Sequence, residues 1–325
     1  MQSARKLSVK NYEKPSKVRK LFITEITSKS LTLIFLVMVI VVSGCISLPI
    51  FSTREIESET FIGGTDGLVL RFLSLPSTVL QNQSFSIVAL VENKGESDIN
   101  AEDAFFTLNN ANAFNIPDKE ITKRNSIKLT GAKLVGGVVM PGGSEQIAWG
   151  PAKITSLILT EQQIIPLSID ACYPYTTTAT SRVCISKTHK LCEPVAEKIV
   201  KNSGAPIQLT SLRQIALPKN NDIELTLIFE IKNVGGGAVF EAVASCPNPN
   251  IAQKDYVNIK AIKLGGKSLD LKNCSELSMS LFENKGSASC TFTIPATTDY
   301  EEQLTIELEY KYKKGLSGQV VTVPI

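Results

Sequence analysis

An internal repeat constrains the fold of this 325-residue chain more than any other feature. Residues 85–95 align without gaps with residues 225–235, at an offset of 140 positions. Residues 167–175 align with residues 304–312 at an offset of 137 positions. Two matches in the same order and at nearly equal offsets indicate that one structural unit occurs twice.

Each matched segment alternates apolar and polar residues with a period of two, which is typical of a strand with one buried face. Asn93 and Asn233 end the first segment of each copy, and a glycine, Gly95 or Gly235, follows two positions later. We interpret the asparagines as turn formers and the glycines as positions that adopt a positive φ angle.

Paired tyrosines end the second segment of each copy, and we expect them to close the end of each core with their hydroxyls directed to backbone or solvent. They are Tyr173 and Tyr175 in the first copy, and Tyr310 and Tyr312 in the second. The alternative is a recurrent binding platform made of these rings. Trp149 is expected in the core.

Short strands account for most of the remaining pattern, because Gly, Pro, Asn and Ser punctuate it at short intervals and no long helical period occurs outside residues 31–51. Further strand candidates are Leu68–Phe72, Ala104–Leu108, Ile127–Leu134, Val257–Leu264, Ser289–Ile294 and Gln319–Val323. The predicted fold class is all-β, with two tandem Ig-like β-sandwich domains after an N-terminal membrane-anchoring helix or lipoprotein signal.

The predicted organisation has six parts. They are a basic cytoplasmic tail (1–30), a signal or transmembrane anchor (31–51), a spacer (52–66), the first Ig-like domain (67–188), a connector (189–205) and the second Ig-like domain (206–325).

The strand-turn elements at residues 91–95 and 231–237 resemble those of Ig-like domains repeated in archaeal and bacterial surface proteins. The cell-adhesion-related, CARDB-like modules are the most similar class. The resemblance covers most of residues 67–325 in pattern, although its sharp motifs span only a few residues. It implies a β-sandwich fold and a cell-surface setting, and such modules serve many roles. The cross-sheet cysteine of antibody domains is absent from residues 85–91.

The uncharged apolar run at residues 31–51 predicts the location of the chain. Its Val-Ser-Gly-Cys sequence, ending at Cys45, resembles a lipobox. This is the signal at which prolipoproteins are lipidated on the cysteine and cleaved before it. The preceding tail carries eight basic and two acidic residues, so the positive-inside rule keeps it in the cytoplasm and exports the rest.

Two readings of the anchor stay open. The short apolar core at residues 31–42 is typical of a cleaved signal peptide, which would leave lipidated Cys45 on the membrane. As a helix, the whole run would extend roughly 30 Å, enough to span a bilayer as an uncleaved anchor. The tail of about 30 residues is longer than a signal peptide usually has, which favours the second reading. A buried helix of a soluble protein is the third alternative.

The charge balance gives no support for nucleic-acid binding by the body, although the whole chain has a net charge of +3. After residue 45 there remain 26 basic and 29 acidic residues, a net charge of −3. A basic face is therefore not expected there.

Six cysteines follow Cys45, and in an exported body they predict three disulfides. They are Cys172, Cys184, Cys192, Cys246, Cys274 and Cys290. Fifteen pairings are possible. The first copy together with the connector holds three of these cysteines, and the second copy holds the other three. Because three is an odd number, at least one bond has to join the two halves if all six pair. We expect Cys172–Cys184 and Cys274–Cys290 as hairpin bonds, with Cys192–Cys246 as a stiff elbow between the domains.

Other candidate sites are few. Asn82 and Asn273 match the N-glycosylation pattern. The acidic stretch from Glu96 to Asp103 is expected to be a solvated loop, with a calcium site as its alternative. With one histidine, His189, and no known catalytic or phosphate-binding motif, we predict no catalytic residues, metal or cofactor.

The expected function is therefore that of a non-catalytic, membrane-anchored extracytoplasmic protein, with tandem sandwiches that bind a cell-surface protein or polysaccharide or act as a spacer. One alternative is an accessory subunit of a membrane-bound envelope or secretion complex, suggested by the basic tail. Another is an extracytoplasmic enzyme of unrecognised type.

Overall fold

Strands dominate the part of the chain that the structure describes, and the all-β prediction is confirmed. The structure is a computed structural model that describes residues 61–155, 161–188, 190–296 and 298–324. The strands up to residue 185 are β1 (Leu68–Ser74), β2 (Thr78–Leu80), β3 (Ser84–Asn93), β4 (Phe105–Asn109), β5 (Thr122–Arg124), β6 (Lys133–Val135), β7 (Val138–Met140), β8 (Ser144–Lys153) and β9 (Gln163–Ile185).

The later strands belong to the connector and the second copy. They are β10 (Val195–Glu197), β11 (Lys201–Asn202), β12 (Ile207–Lys219), β13 (Asp222–Asn233), β14 (Ala238–Phe240), β15 (Tyr256–Leu264), β16 (Lys267–Ser268), β17 (Ser278–Ser280), β18 (Lys285–Pro295) and β19 (Tyr300–Val323). The helical turns of the described residues are short: one α-helical turn at Asp118–Ile121 and 3₁₀ turns at Ala111–Phe114, Ile251–Gln253 and Leu271–Asn273.

The two longest strands join the repeats. β9 has 23 residues and β19 has 24, and they pair antiparallel in an unbroken register from Ile185 opposite Tyr300 to Gln163 opposite Thr322. The amino-terminal half of β9 pairs with β4 of the first copy, and the amino-terminal half of β19 pairs with β15 of the second. One ten-stranded sheet therefore runs through both copies, along the path β16-β15-β19-β9-β4-β5.

Each copy adds a smaller antiparallel sheet of its own. β1-β3-β8 belongs to the first copy and β10-β12-β13-β18 to the connector and second copy. The apolar residues of the predicted inner faces of β3 and β13 are buried, except for the half-buried Phe85, and alternate residues of β9 from Ile165 to Val183 are buried as well. Each such large apolar side chain stabilises the fold by roughly 1.5–3 kcal/mol. This arrangement is consistent with β-sandwich packing.

The described residues belong to one compact unit with a continuous hydrophobic core. The number of domains and their boundaries therefore stay predictions.

Two sequence expectations differ from the structure in detail. Residues 127–134 do not form one strand: Leu129 makes a single bridge to Ile99, and the next strand, β6, begins only at Lys133. Gly131 separates the two because it lies directly against the backbone of Glu96. The predicted connector contains two short strands, β10 and β11, which add to the sheets of the body.

The disulfide pattern corrects two of the three expected pairs. The bonds are Cys172–Cys246, Cys184–Cys192 and Cys274–Cys290. Cys172 and Cys184 cannot pair because both lie on β9, twelve residues or roughly 40 Å apart along an extended strand. The expected Cys192–Cys246 elbow is wrong because each of these partners one β9 cysteine instead. The hairpin bond Cys274–Cys290 is confirmed, and Cys172–Cys246 is the bond between the two halves that the odd cysteine counts require.

Candidate functional site

Four tyrosines form a cluster where the two copies meet, and we call it the tyrosine cluster. Tyr175 lies opposite Tyr310 and Tyr173 lies opposite Tyr312 across the β9–β19 pair. Neighbouring ring centroids are 5.7–6.4 Å apart. All four rings are at most 2% exposed, so they are core residues as predicted and are not available as a binding platform.

The inner tyrosine of each pair holds the first strand of its copy. The Tyr173 hydroxyl accepts a hydrogen bond from the Leu68 N–H at 3.0 Å. The Tyr310 hydroxyl accepts one from the Ile207 N–H at 3.4 Å. The duplication seen in the sequence is thus repeated in the hydrogen bonds.

The outer tyrosine of each pair holds the asparagine turn. The Tyr175 hydroxyl donates to Asn93 Oδ1 at 3.0 Å, and the Tyr312 hydroxyl donates to Asn233 Oδ1 at 3.1 Å. Each asparagine amide also donates, at 2.8 Å, to a carbonyl four residues ahead, that of Ser97 or Gly237. Their predicted role as turn formers is confirmed.

The glycines of these turns serve a different purpose from the expected one. Neither Gly95 nor Gly235 has a positive φ angle. A β-carbon on Gly235 would lie 2.6 Å from the Tyr312 hydroxyl, and one on Gly95 would lie closer still to the Tyr175 hydroxyl. Glycine is required because the tyrosine approaches the backbone.

Burial controls the acidity of the cluster. Loss of solvation raises the pKa of Tyr173 and of Tyr310 well above the ordinary tyrosine value. Burial also raises the pKa of Tyr175 and Tyr312, although the hydrogen bonds with Ser97 and Gly237 oppose the shift.

We expect alkaline unfolding driven by these tyrosines. Because their folded-state pKa values exceed the unfolded value of about 10, their contribution to stability is complete below pH 10 and is lost as the pH rises toward the folded-state values. Absorbance at 295 nm should show these tyrosines ionising together with the loss of far-UV circular dichroism. Smooth ionisation of all tyrosines near pH 10, with the fold intact, would contradict the burial of the cluster.

The first described residues, 61–67, form a leading segment that the Glu96 carboxylate helps to hold against the body. Glu96 accepts hydrogen bonds from the N–H groups of Ile62 and Gly63 at 3.0 Å each, and from the N–H of Gly204. Asp66 adds an ion pair with Lys314 at 2.9 Å. Glu96 therefore has a structural role as a clamp for the chain that enters the body. Asp98, Glu102 and Asp103 of the same acidic stretch are exposed, as expected of a solvated loop.

An open groove of about 530 Å³ lies on the outer face of the β12-β13-β18 sheet. Hydroxyl and amide side chains line it beside the Cys274–Cys290 bond and the ion pair of Lys219 with Glu224. The lining residues include Asn273, Ser275, Ser289, Thr291 and Thr293. Such a surface offers hydrogen bonds to a polar ligand and no acid–base pair in an enclosed pocket.

The predicted site residues do not form one centre. Asn82 and Asn273 are both exposed, as glycan acceptors have to be, and Asn273 borders the groove. Cys45 and His189 lie outside the described residues, so their predicted roles stay predictions. Sequence reasoning missed the groove and the Glu96 clamp, because both depend on residues from distant parts of the chain.

Two absences concern only the part of the chain that the structure describes. Within it, no group of three or more His, Cys, Asp or Glu side chains is placed to hold a metal ion. No helix in the same residues is long and apolar enough to cross a bilayer, and residues 31–51 are not among them.

The fold and the site define a disulfide-bonded, all-β protein built on antiparallel sheets. Comparison of the chain with protein-family models gives no match, and comparison with curated proteins gives none either.

Proposed function

We propose that this chain is a non-catalytic, membrane-anchored extracytoplasmic protein. Its tandem Ig-like, CARDB-like sandwiches bind a partner at the cell surface or act as a spacer from the membrane. The observation that carries the proposal is the unbroken β9–β19 pair. A strand of 23 residues extends roughly 75 Å, so the two repeats are joined along a stiff sheet and not by a flexible linker.

Three further features support this setting. Three disulfides are typical of proteins outside the reducing cytosol. The uncharged run at residues 31–51, with Cys45, supplies an anchor, and the basic tail before it orients the chain. The polar groove beside β18 is suited to hydrogen bonding with a polysaccharide or a polar protein surface.

The mature amino terminus of membrane-extracted protein tests the anchor. We expect the chain to begin at an acylated Cys45, and we expect Cys45→Ala to leave an uncleaved precursor in the membrane. An intact Met1 end, unchanged by Cys45→Ala, would select the spanning helix in place of lipidation. Full-length chain in the soluble fraction, with reduced cysteines, would contradict both forms of the proposal.

A second candidate function is that of an accessory subunit of a membrane-bound envelope or secretion complex. The observation that favours it is the basic tail, which has eight basic residues and is longer than a signal peptide needs. Deletion of residues 2–19 should then remove co-purifying partners while export and anchoring persist. Unchanged partners after that deletion would contradict this candidate.

A further inference from the structure

A short hairpin projects from the first copy without joining any of the three larger sheets; we call Lys133–Met140 the apolar hairpin. β6 and β7 pair only with each other among the described strands, with Val135 opposite Val138. Gly136 and Gly137 make the connection, both with positive φ angles (58° and 80°), as a two-residue type I′ turn requires. A β-carbon on either glycine would have no atom within 4 Å, so the tip stands clear of the body.

The side chains of the apolar hairpin are unusually exposed for their type. Val135, Val138, Val139 and Met140 are 52–63% exposed. No charged residue occurs from Leu134 to Ser144. An isolated two-stranded hairpin is only marginally stable in water, and exposed apolar strands with free edges promote aggregation.

Both faces of the hairpin are apolar toward its tip. The register places Val135 and Val138 on one face, with Met140 and Lys133 opposite each other at the base of that face, and the half-buried Leu134 and exposed Val139 on the other. A hairpin that docks in a protein groove or adds to a sheet needs only one apolar face. Two apolar faces suit a medium that surrounds the tip.

The base of the hairpin lies beside the point where the chain enters the body. The Ala132 N–H donates to the Gly95 carbonyl at 2.8 Å. The next residue, Glu96, is the clamp for Ile62 and Gly63. A β-carbon on Gly131 would lie 2.9 Å from the Glu96 Cα, so the hairpin and the leading segment share one corner of the structure.

That corner cannot lie far from the apolar run. Phe61, the first described residue, lies ten positions after Phe51, the last residue of the run. Covalent geometry limits a fully extended chain of that length to about 36 Å. For a chain held by lipidated Cys45, which lies 16 positions before Phe61, the same limit is about 58 Å. If residues 31–51 or lipidated Cys45 hold the chain in a bilayer, the apolar hairpin lies within reach of its surface.

We propose that the apolar hairpin inserts into the interfacial region of the lipid bilayer to which the chain is anchored, so that the body has a second membrane contact. This inference rests on the proposed membrane anchoring. The peptide groups of the Gly136–Gly137 turn need hydrogen-bond partners, which keeps the tip at the boundary of headgroups and acyl chains. Lys133, at the base, is placed for the anionic phosphates of the headgroups.

Fluorescence quenching in vesicles tests the insertion. The full-length chain with Val138→Trp is reconstituted into phosphatidylcholine vesicles that carry bromine on their acyl chains. The native Trp149 is 1% exposed and gives a shielded background. We expect the bromines to remove at least half of the added emission. The matched control is Leu217→Trp, whose emission should not change. Leu217 is 50% exposed. It lies on β12, ten residues along the strand from Ile207, which binds the tyrosine cluster.

A second variant separates the hairpin from the introduced tryptophan. Val135→Trp should be quenched in the same way, and adding Val138→Asp and Val139→Asp should abolish that quenching while the circular dichroism stays unchanged. Equal quenching in the presence of the two aspartates would overturn the proposal.

Flotation of the same vesicles distinguishes failure of the hairpin contact from failure of the membrane anchoring. Protein that floats with the vesicles but shows no quenching of Val138→Trp overturns the hairpin contact and leaves the anchoring intact. Protein that does not float overturns the anchoring itself, and with it the hairpin contact.

Discussion

Replacing Gly95 with alanine is expected to destabilise the protein by about 3 kcal/mol or more. The new β-carbon would lie 2.5 Å from the carbonyl oxygens of both Asp66 and Gly204, and closer still to the Tyr175 hydroxyl. Two of these neighbours are backbone atoms, so relief requires the leading segment and the connector to move. Moving the tyrosine instead would break its hydrogen bond to Asn93. The effect is steric, since Gly95 has no positive φ angle to lose.

Urea unfolding of Gly95→Ala and of a matched glycine variant measures this effect. Gly315→Ala is the control, because the nearest atom to its β-carbon would be a side-chain oxygen of Asp170 at 3.1 Å. We expect the control to change the free energy of unfolding by less than about 1 kcal/mol. Gly235→Ala, at the equivalent place in the second copy, should resemble Gly95→Ala. A Gly95→Ala protein as stable as the control would contradict the close approach of Tyr175.

The alternation of apolar residues was sufficient to predict the strands that contain large side chains. Apart from the turn residues 94–95 and 234–235, each of the four matched segments lies within an observed strand. The apolar residues on the inner faces of β3 and β13 are buried as expected, except for the half-buried Phe85. The paired tyrosines and Trp149 were also placed in the core correctly. These predictions succeeded because a period of two is visible wherever apolar and polar residues differ strongly.

The long β9 strand that joins the two copies could not be predicted from this alternation. β9 continues from Tyr175 through a threonine-rich stretch, in which Thr177 and Ser181 are buried and their neighbours are not. Small polar residues on both faces give no contrast in hydropathy. The alternating pattern therefore stops in the sequence, although the strand continues. The Thr177 hydroxyl satisfies its burial by donating to the Ile207 carbonyl at 2.7 Å.

The polar contacts of the site depend on distances that no local pattern contains. Gly95 lies against Tyr175, 80 positions later, and Glu96 holds Gly204, 108 positions later. The sequence indicated that a glycine was needed, and the reason became visible only with the partner in place. The apolar hairpin was missed because the residues from Ile127 to Leu134 were interpreted as one strand.

Removal of the Cys172–Cys246 bond is expected to destabilise the protein by about 2 kcal/mol more than removal of Cys184–Cys192. The first bond closes a chain segment with a sequence separation of 74 residues, and the second closes one of 8. In the chain-entropy description, the stabilisation grows with the logarithm of that separation, and this ratio corresponds to about 2 kcal/mol. Cys172 and Cys184 are both at most 1% exposed, so the loss of buried sulphur is similar in the two cases.

Guanidinium unfolding of three double-alanine variants measures the order. Cys274–Cys290, with a separation of 16 residues, is the intermediate control and should lie between the other two. A non-reducing peptide map of the wild-type protein has to show the same three pairs first. If the Cys184–Cys192 variant were the least stable, or if the map paired Cys192 with Cys246, the connectivity argued from β9 would be wrong. The expected order instead makes Cys172–Cys246 the covalent counterpart of the β9–β19 hydrogen bonds: both restrain the two repeats relative to each other, one in the unfolded chain and the other in the folded sheet.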